Sequence, residues 1–212
     1  VVNEPVSLDI ASLVNSEANT DERFIFDTET GTILLYKGTD LNVVIPEELG
    51  GVKVRAIGDS AFNSHETTFK ITGVTLPSGL EVIGDRAFSR NALTVLDLSV
   101  CKGLVSIGDH AFIANKLTDL VLPRSVKELG QGAFSNNQLI NVNLGLVEDI
   151  GESAFVWNQL TEVVLPRSVK VVGSNAFGDN LITRVSKAKE LKLGKDVFNH
   201  QEVQVNNRYK SR

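Results

Sequence analysis

The residue types that most often build catalytic and metal sites are few in this chain and widely scattered. The histidines are His65, His110 and His200, and Cys101 is the single cysteine. No His-x-x-x-His or Cys-x-x-Cys spacing occurs, so the sequence offers neither a zinc site nor an internal disulfide. A lone cysteine, here within SVCKG, is expected to be packed and inert. We predict no metal and no cofactor.

Signatures of other catalytic classes are also missing from the sequence. There is no G-x-S-x-G elbow, no phosphate-binding loop and no kinase signature. Acidic residues such as Glu128, Glu148 and Asp149 lie at variable positions, whereas a glycosidase needs two opposed carboxylates in a cleft. Such groups are expected to be solvated surface charge. We therefore predict no catalytic residue and a protein that is not an enzyme.

The composition is ordinary for a folded soluble protein. Of the 212 residues, 42% are hydrophobic and 22% are charged. The formal net charge of −5 argues against nucleic acid or an anionic membrane as the main partner. No apolar run approaches the roughly 20 residues of a membrane helix, so no membrane insertion is expected. The start at Val1 has no leader pattern and the chain has no methionine, which we interpret as processing or excision from a longer protein.

A six-residue pattern recurs along the chain, and this recurrence indicates architecture, because a site is needed only once. It occurs as IGDSAF, IGDRAF, IGDHAF, LGQGAF, IGESAF and VGSNAF, with a degenerate LGKDVF near the end. The phenylalanines recur every 21 to 26 residues, and the insertions NSHETTFK and SVCKG lengthen two loops. These phenylalanines are Phe62, Phe88, Phe112, Phe134, Phe155, Phe177 and Phe198.

A second pattern, L-x-x-L-x-L with conservative changes, lies between the hexamers, for example LTDLVL at Leu117. Its alternating apolar residues predict a strand, and Pro77, Pro123 and Pro166 end three of these strands. In the hexamer we expect the aliphatic residue and Phe to fill the core, Gly to allow a bend or positive φ, and Ala to leave room for the next coil. Stacked coils bury one continuous core. The sequence therefore predicts a repeat solenoid, mainly β with turns, of about six to seven coils.

An asparagine stands three residues after most of the phenylalanines. Because an asparagine side chain both donates and accepts hydrogen bonds, a stacked column of them would satisfy backbone groups in the turns. We predict a structural ladder here, and a binding role is the alternative. The members are Asn91, Asn115, Asn137, Asn158 and Asn180.

The repeat unit N-x-L-T-x-V-x-L-P-x-S-V-x-x-I-G-x-x-A-F resembles the BspA-type, or treponemal-type, leucine-rich repeat. KLTDLVLPRSVKELGQGAF and QLTEVVLPRSVKVVGSNAF are its closest copies, and the resemblance covers about residues 24–198. It implies a right-handed leucine-rich repeat superhelix in a secreted or surface-displayed bacterial protein, often an adhesin or other interaction protein. Many members carry Cys where this chain has the asparagine column, and their repeats are more uniform.

The resemblance also suggests how the chain is divided. Residues 1–22 are expected to be a linker or cap, with a short helix over 7–14 as one possibility. Residues 23–46 resemble an opening hairpin, turning at Thr30 and Gly31, followed by a half repeat. Residues 47–198 form the predicted solenoid. Residues 199–212 form a C-terminal cap or tail, whose basic end NNRYKSR is expected to be solvated.

The variable positions of L-x-x-L-x-L are expected to point outward and to form a surface, which we call the strand face. With strands about 4.8 Å apart, five of them give a face roughly 20 to 25 Å across, open enough for a protein partner. It lacks Trp, Tyr and Arg, so weak or multivalent binding is favoured. The candidate binding residues are Val95, Asp97, Asp119, Val121, Asn141, Asn143, Glu162 and Val164.

Two copies of PRSVK place Arg124 with Lys127 and Arg167 with Lys170. We expect these residues to be solvated turn charges, with a small anion or sulfated-glycan patch as the alternative. The leading prediction is a monomeric, adhesin-like module that binds a protein or glycan of a host or neighbouring cell. A passive spacer, or a targeting module for an enzyme elsewhere, remains the alternative.

Overall fold

The computed structural model describes residues 21–64, 69–194 and 196–209. The predicted helix over 7–14 and His65 lie outside these residues. The described chain is a β-solenoid of about eight turns without helix, which confirms the predicted fold class. The strands are β1 (Phe24–Asp27), β2 (Thr32–Tyr36), β3 (Asn42–Val44), β4 (Glu48–Leu49), β5 (Val52–Lys53), β6 (Ala56–Ile57), β7 (Gly73–Thr75), β8 (Val82–Ile83), β9 (Ser106–Ile107), β10 (Asp119–Val121), β11 (Glu128–Leu129), β12 (Asn141–Asn143), β13 (Asp149–Ile150), β14 (Glu162–Val164), β15 (Val171–Val172), β16 (Arg184–Ala188) and β17 (Gln204–Tyr209).

One sheet runs along most of the solenoid, from β1 to β15, and we call it the long sheet. Its strand order is β1-β2-β6-β8-β9-β11-β13-β15. The β1–β2 pair is an antiparallel hairpin, and each later strand pairs in parallel with the strand of the preceding coil. From β6 onward each strand ends on the aliphatic first residue of a hexamer. The sequence analysis did not predict this sheet, because two-residue strands are too short to show alternation.

The L-x-x-L-x-L segments alternate along the chain with the hexamers. They form a second column of short strands, which is interrupted. β3 pairs with β7, β10 with β12, and β14 with β16 and then β17, all in parallel. The segment from Leu93 to Leu98 keeps the buried and exposed alternation without forming a strand, so the predicted strand in this coil is wrong. At the C-terminal end β17 adds residues 204–209 to this column, in parallel with β16.

The hexamer phenylalanines form a continuous stack through the core. From Phe62 to Phe198 the neighbouring ring centroids lie 4.8 to 5.7 Å apart with nearly parallel planes. Tyr36 stacks on Phe62 at 5.1 Å and so begins the column. Each coil therefore contributes one ring and buries it against the rings of the coils above and below.

The hexamer glycines have a different role from the predicted one. The positive φ angles fall two residues later, at Ser60, Arg86, His110, Gly132, Ser153 and Asn175. At Gly151 a Cβ atom would lie 2.5 Å from the Gly130 carbonyl carbon of the preceding coil, and at Gly173 it would lie 2.4 Å from the Glu152 amide nitrogen. These glycines are therefore needed because successive backbones approach too closely for a side chain.

Candidate binding surface

All eight candidate residues of the strand face are exposed in the structure. β10 carries Asp119 and Val121, and parallel register sets them beside Asn141 and Asn143 of β12. Among these eight residues the most exposed aliphatic side chains are those of Val95, at 71%, and Val121, at 60%. The alternation of the repeat therefore predicted correctly which side chains point away from the core. Glu162 and Val164 of β14 continue the surface towards the C-terminal end.

Polar contacts on the strand face are few and leave hydrogen-bonding capacity unused. The amide of Asn141 donates to the Asp119 carboxylate at 3.0 Å. The Asn143 Oδ1 atom accepts from the Gly145 amide at 3.0 Å, which fixes the orientation of that side chain. Hydrogen bonds from Ser99 lower the pKa of Asp97 below its ordinary value, and the nearby Lys102 adds to the shift.

The strand face also contains an arginine that the sequence analysis missed. Arg184 of β16 lies beside Glu162 of β14 and forms an exposed ion pair with it at 3.1 Å. The sequence signal was present, because ITRVSKA at Ile182 follows LTEVVL at Leu160 by one coil and repeats its pattern. The expectation that this face lacks arginine is therefore wrong at its C-terminal end.

The outer side of the long sheet has its charges paired between coils. Arg55 bonds Glu81 at 2.9 Å, and Glu148 lies between Lys127 and Lys170 and forms an ion pair with each. Hydrogen bonds from Lys170 and then Lys127 hold the pKa of Glu148 below its ordinary value. Two of the four PRSVK cations, Lys127 and Lys170, thus share one carboxylate.

The asparagine column links each coil to the preceding one through buried hydrogen bonds. The Asn137 Oδ1 atom accepts from the Leu117 amide at 3.1 Å. Its Nδ2 atom donates to the carbonyl oxygens of Phe112, at 2.9 Å, and Phe134, at 3.2 Å. Equivalent bonds are formed by Asn91, Asn115, Asn158 and Asn180.

The ladder has a further member that the sequence analysis overlooked. Gln201 accepts from the Ile182 amide through Oε1 and donates to the Phe177 carbonyl through Nε2, both at 2.7 Å. It lies three residues after Phe198, the same spacing as in the asparagine column. Its longer side chain makes the same two contacts in the last, degenerate copy.

Substitution of Asn137 with Ala is expected to lower the free energy of unfolding by about 1 to 3 kcal/mol, because buried backbone groups lose their partners. Asn137→Asp should be at least as damaging at neutral pH, since an acceptor oxygen would then face two carbonyl oxygens. The neighbouring Asn136 is exposed and supplies the control. Asn136→Asp should change stability by under about 0.5 kcal/mol. Urea unfolding measures both, and equal losses at the two positions would contradict a ladder.

Two further residues, Trp157 and Cys101, differ in their exposure to solvent. Trp157 is 60% exposed and has a φ of 56°, so it lies at a turn with most of its side chain in solvent. Cys101 is fully buried, and its thiol lies 3.5 Å from the Pro77 carbonyl oxygen. Burial raises the pKa of this thiol to about 11, which keeps it protonated and unreactive at neutral pH.

The described residues contain neither a metal-binding cluster nor a membrane-spanning helix. Within 21–64, 69–194 and 196–209 no group of three or more His, Cys, Asp or Glu side chains could hold a metal ion. The same part of the chain contains no helix that is long and apolar enough to cross a membrane.

Comparison with known proteins decides the family. A family model described as the BspA type leucine rich repeat region matches residues 55–184 with six copies. The chain belongs to the BspA-type leucine-rich repeat family. The resemblance drawn from the repeat unit is thereby confirmed, and this family is generally a non-enzymatic repeat module. A comparison with curated proteins finds no match.

Two solved structures are similar to this chain. The pneumococcal vaccine antigen PcpA is 27% identical with a TM-score of 0.59, and the match covers 74% of this chain and 43% of that one. A leucine rich cell surface protein from Faecalibacterium prausnitzii A2-165 is 25% identical with a TM-score of 0.55. That match covers 79% of this chain and 54% of the other. The present chain thus spans about half the length of these relatives.

Proposed function

We propose that this chain is a non-enzymatic interaction module of a bacterial surface or secreted protein, and that it binds a protein or glycan through the strand face. One observation carries the proposal. The strand face presents exposed valines and amides over several coils, whereas much of the charge on the long sheet is paired between coils. Unpaired donors beside apolar side chains are available to a partner, and paired charges are less so.

The location rests on the similarity to other bacterial proteins. One relative carries the name of a vaccine antigen and the other that of a cell surface protein. This chain matches only part of each relative. The surface location and the adhesin-like role are therefore proposals that extend from whole relatives to this chain. The same repeats could present a separate binding domain as a spacer, and the experiment below distinguishes the two roles.

The chemistry of the strand face suits weak contacts repeated across a surface. Val95 and Val121 each offer a small apolar contact, and Asn141 and Asn143 offer amide groups. Small apolar contacts and neutral hydrogen bonds contribute modestly one by one, so avidity from several copies on a cell would be needed for firm attachment. Arg184 at the end of the face is paired with Glu162, so a partner that used this arginine would have to replace that ion pair.

The proposed function predicts binding when the chain is displayed in many copies. The 212-residue chain, coupled to beads, is tested against glycan arrays and against purified fibronectin, laminin and collagen. We expect dose-dependent capture of at least one of these, with competition by excess uncoupled chain. Absence of binding across the whole panel would contradict an interaction module and favour the spacer.

A further inference from the structure

A cleft of about 380 Å³ opens at one edge of the strand face, beside the ends of β10 and β12. Three successive coils contribute to its walls. Lys102 comes from the first coil, Arg124 from the second, and Asn143 with Gly145 from the third. Lys102 belongs to the SVCKG insertion. This insertion lengthens a loop and also supplies a positive charge to the cleft. A space of this size can hold one sugar ring or a small anion.

The two cations of the cleft are not neutralised by the protein. Over the described ranges neither Lys102 nor Arg124 forms an ion pair. On the long sheet, in contrast, Glu148 lies between Lys127 and Lys170. Two like charges on adjacent coils repel each other, and a bound anion would relieve this repulsion.

The acidic group nearest to Lys102 is occupied by neighbouring hydrogen bonds. The Asp97 carboxylate accepts from the Ser99 amide at 2.8 Å. Asp97 is close enough for its charge to interact with Lys102, but it does not line the cleft.

The third wall adds a neutral donor. Because the Asn143 Oδ1 atom is held by the Gly145 amide, its Nδ2 group is left to donate. Gly145 has a φ of 57°, and a Cβ atom there would lie 2.9 Å from the Leu122 carbonyl oxygen of the preceding coil. The glycine therefore allows the turn that holds Asn143 in place and the close approach of the two coils at this corner.

We propose that this cleft binds an oxyanion carried on an acidic saccharide. The Arg124 guanidinium can bond two oxygens of a sulfate or carboxylate, Lys102 supplies a second charge, and Asn143 donates a neutral hydrogen bond. The proposal deepens the proposed function by naming the chemistry of one ligand group, and it rests on that function. It also corrects the position of the basic patch, which pairs Arg124 with Lys102 and not with Lys127.

Calorimetric titration tests the proposal with four probes: a sulfated heparin-derived tetrasaccharide, its desulfated form that keeps the carboxylates, inorganic sulfate, and neutral maltotetraose. We expect the sulfated sugar to bind, more weakly as sodium chloride rises, and the neutral sugar not to bind. The double variant Lys102→Gln with Arg124→Gln should weaken binding at least about tenfold, the effect of losing roughly 1.4 kcal/mol. Arg167→Gln, at the same position of the second PRSVK, should stay within about twofold.

The other probes identify the ligand group. They also distinguish a failure of this proposal from a failure of the proposed function. Equal binding of the desulfated sugar would assign a carboxylate as the ligand group, and binding of sulfate alone would assign a free anion and overturn a saccharide site. The double variant should melt no lower than the wild type, because it removes a repulsion. Unchanged binding by this variant, equal binding of maltotetraose, or no binding by the wild type at millimolar sugar would also overturn the proposal. Capture of a matrix protein that the double variant retains would leave the proposed function standing.

Discussion

Replacing Gly151 with alanine is expected to lower the free energy of unfolding by about 2 to 4 kcal/mol, although the change adds a single methyl group. Its Cβ atom would lie 2.5 Å from the carbonyl carbon and 2.6 Å from the carbonyl oxygen of Gly130. Both are backbone atoms of the neighbouring coil, so they cannot move aside as a flexible side chain could. The two coils would have to separate, and the hydrogen bond from the Gly151 amide to the Leu129 carbonyl would lengthen.

Gly103 provides the matched control for this experiment. A Cβ atom there would come no closer than 3.7 Å to any neighbouring atom, and its φ is not positive. Gly103→Ala should therefore leave stability unchanged or raise it by up to about 1 kcal/mol, since alanine reduces the freedom of the unfolded chain. Urea unfolding followed by far-ultraviolet circular dichroism measures both variants. A similar loss in each would show that the hexamer glycines do not mark close contact between coils.

Phe134→Ala is expected to have the largest effect, a loss of about 3 to 5 kcal/mol. The Phe134 ring is completely buried, with the ring centroids of Phe112 and Phe155 at 5.3 and 5.7 Å. Truncation would remove contacts with both neighbouring coils and leave a cavity that the rigid stack cannot close. In a repeat protein stability depends on the interfaces between adjacent coils, and this substitution weakens two of them.

Phe198 tests whether position in the stack determines the size of the loss. It lies at the C-terminal end of the described stack, is only partly buried, and contacts a single ring, that of Phe177 at 5.7 Å. Phe198→Ala should therefore cost clearly less than Phe134→Ala, about 1 to 2 kcal/mol. Circular dichroism in urea compares the two, and an equal or larger loss at Phe198 would contradict stabilisation through stacked coils.

The fold could be predicted because the repeat spacing reflects the geometry of a solenoid. Phenylalanines that recur every 21 to 26 residues indicate coils of similar length, and coils whose extra residues lie in loops can stack their apolar residues. The outward direction of residues such as Val121 and Asn143 followed from strand alternation. The long sheet could not be predicted in this way, because a pair such as Val82 and Ile83 is too short to show a period.

Features that depend on contacts between coils also lay beyond the sequence. The sequence shows that Lys127, Glu148 and Lys170 recur at similar positions, but only the register of the coils places the carboxylate between the two ammonium groups. Likewise, a glycine is compatible with a positive φ or with a close contact, and the structure assigns the second role to Gly151. Lys102 and Arg124 line the same cleft only because three coils stack in register, and the sequence alone does not show that stacking.

The most direct test of the strand face compares two variants with the same chemistry on different surfaces. One changes Val95 and Val164 of the strand face to serine, and the other changes Val82 and Val171 of the long sheet to serine. The wild-type side chains are exposed by 71% and 40% in the first pair and by 41% and 55% in the second, so neither variant should unfold the chain. Both are measured for capture of the glycans or matrix proteins that bind the wild type, with melting temperature as the folding control. Loss of capture by the strand-face variant alone is the expected result, and equal capture by both variants, or loss only in the long-sheet variant, would contradict a binding role for the strand face.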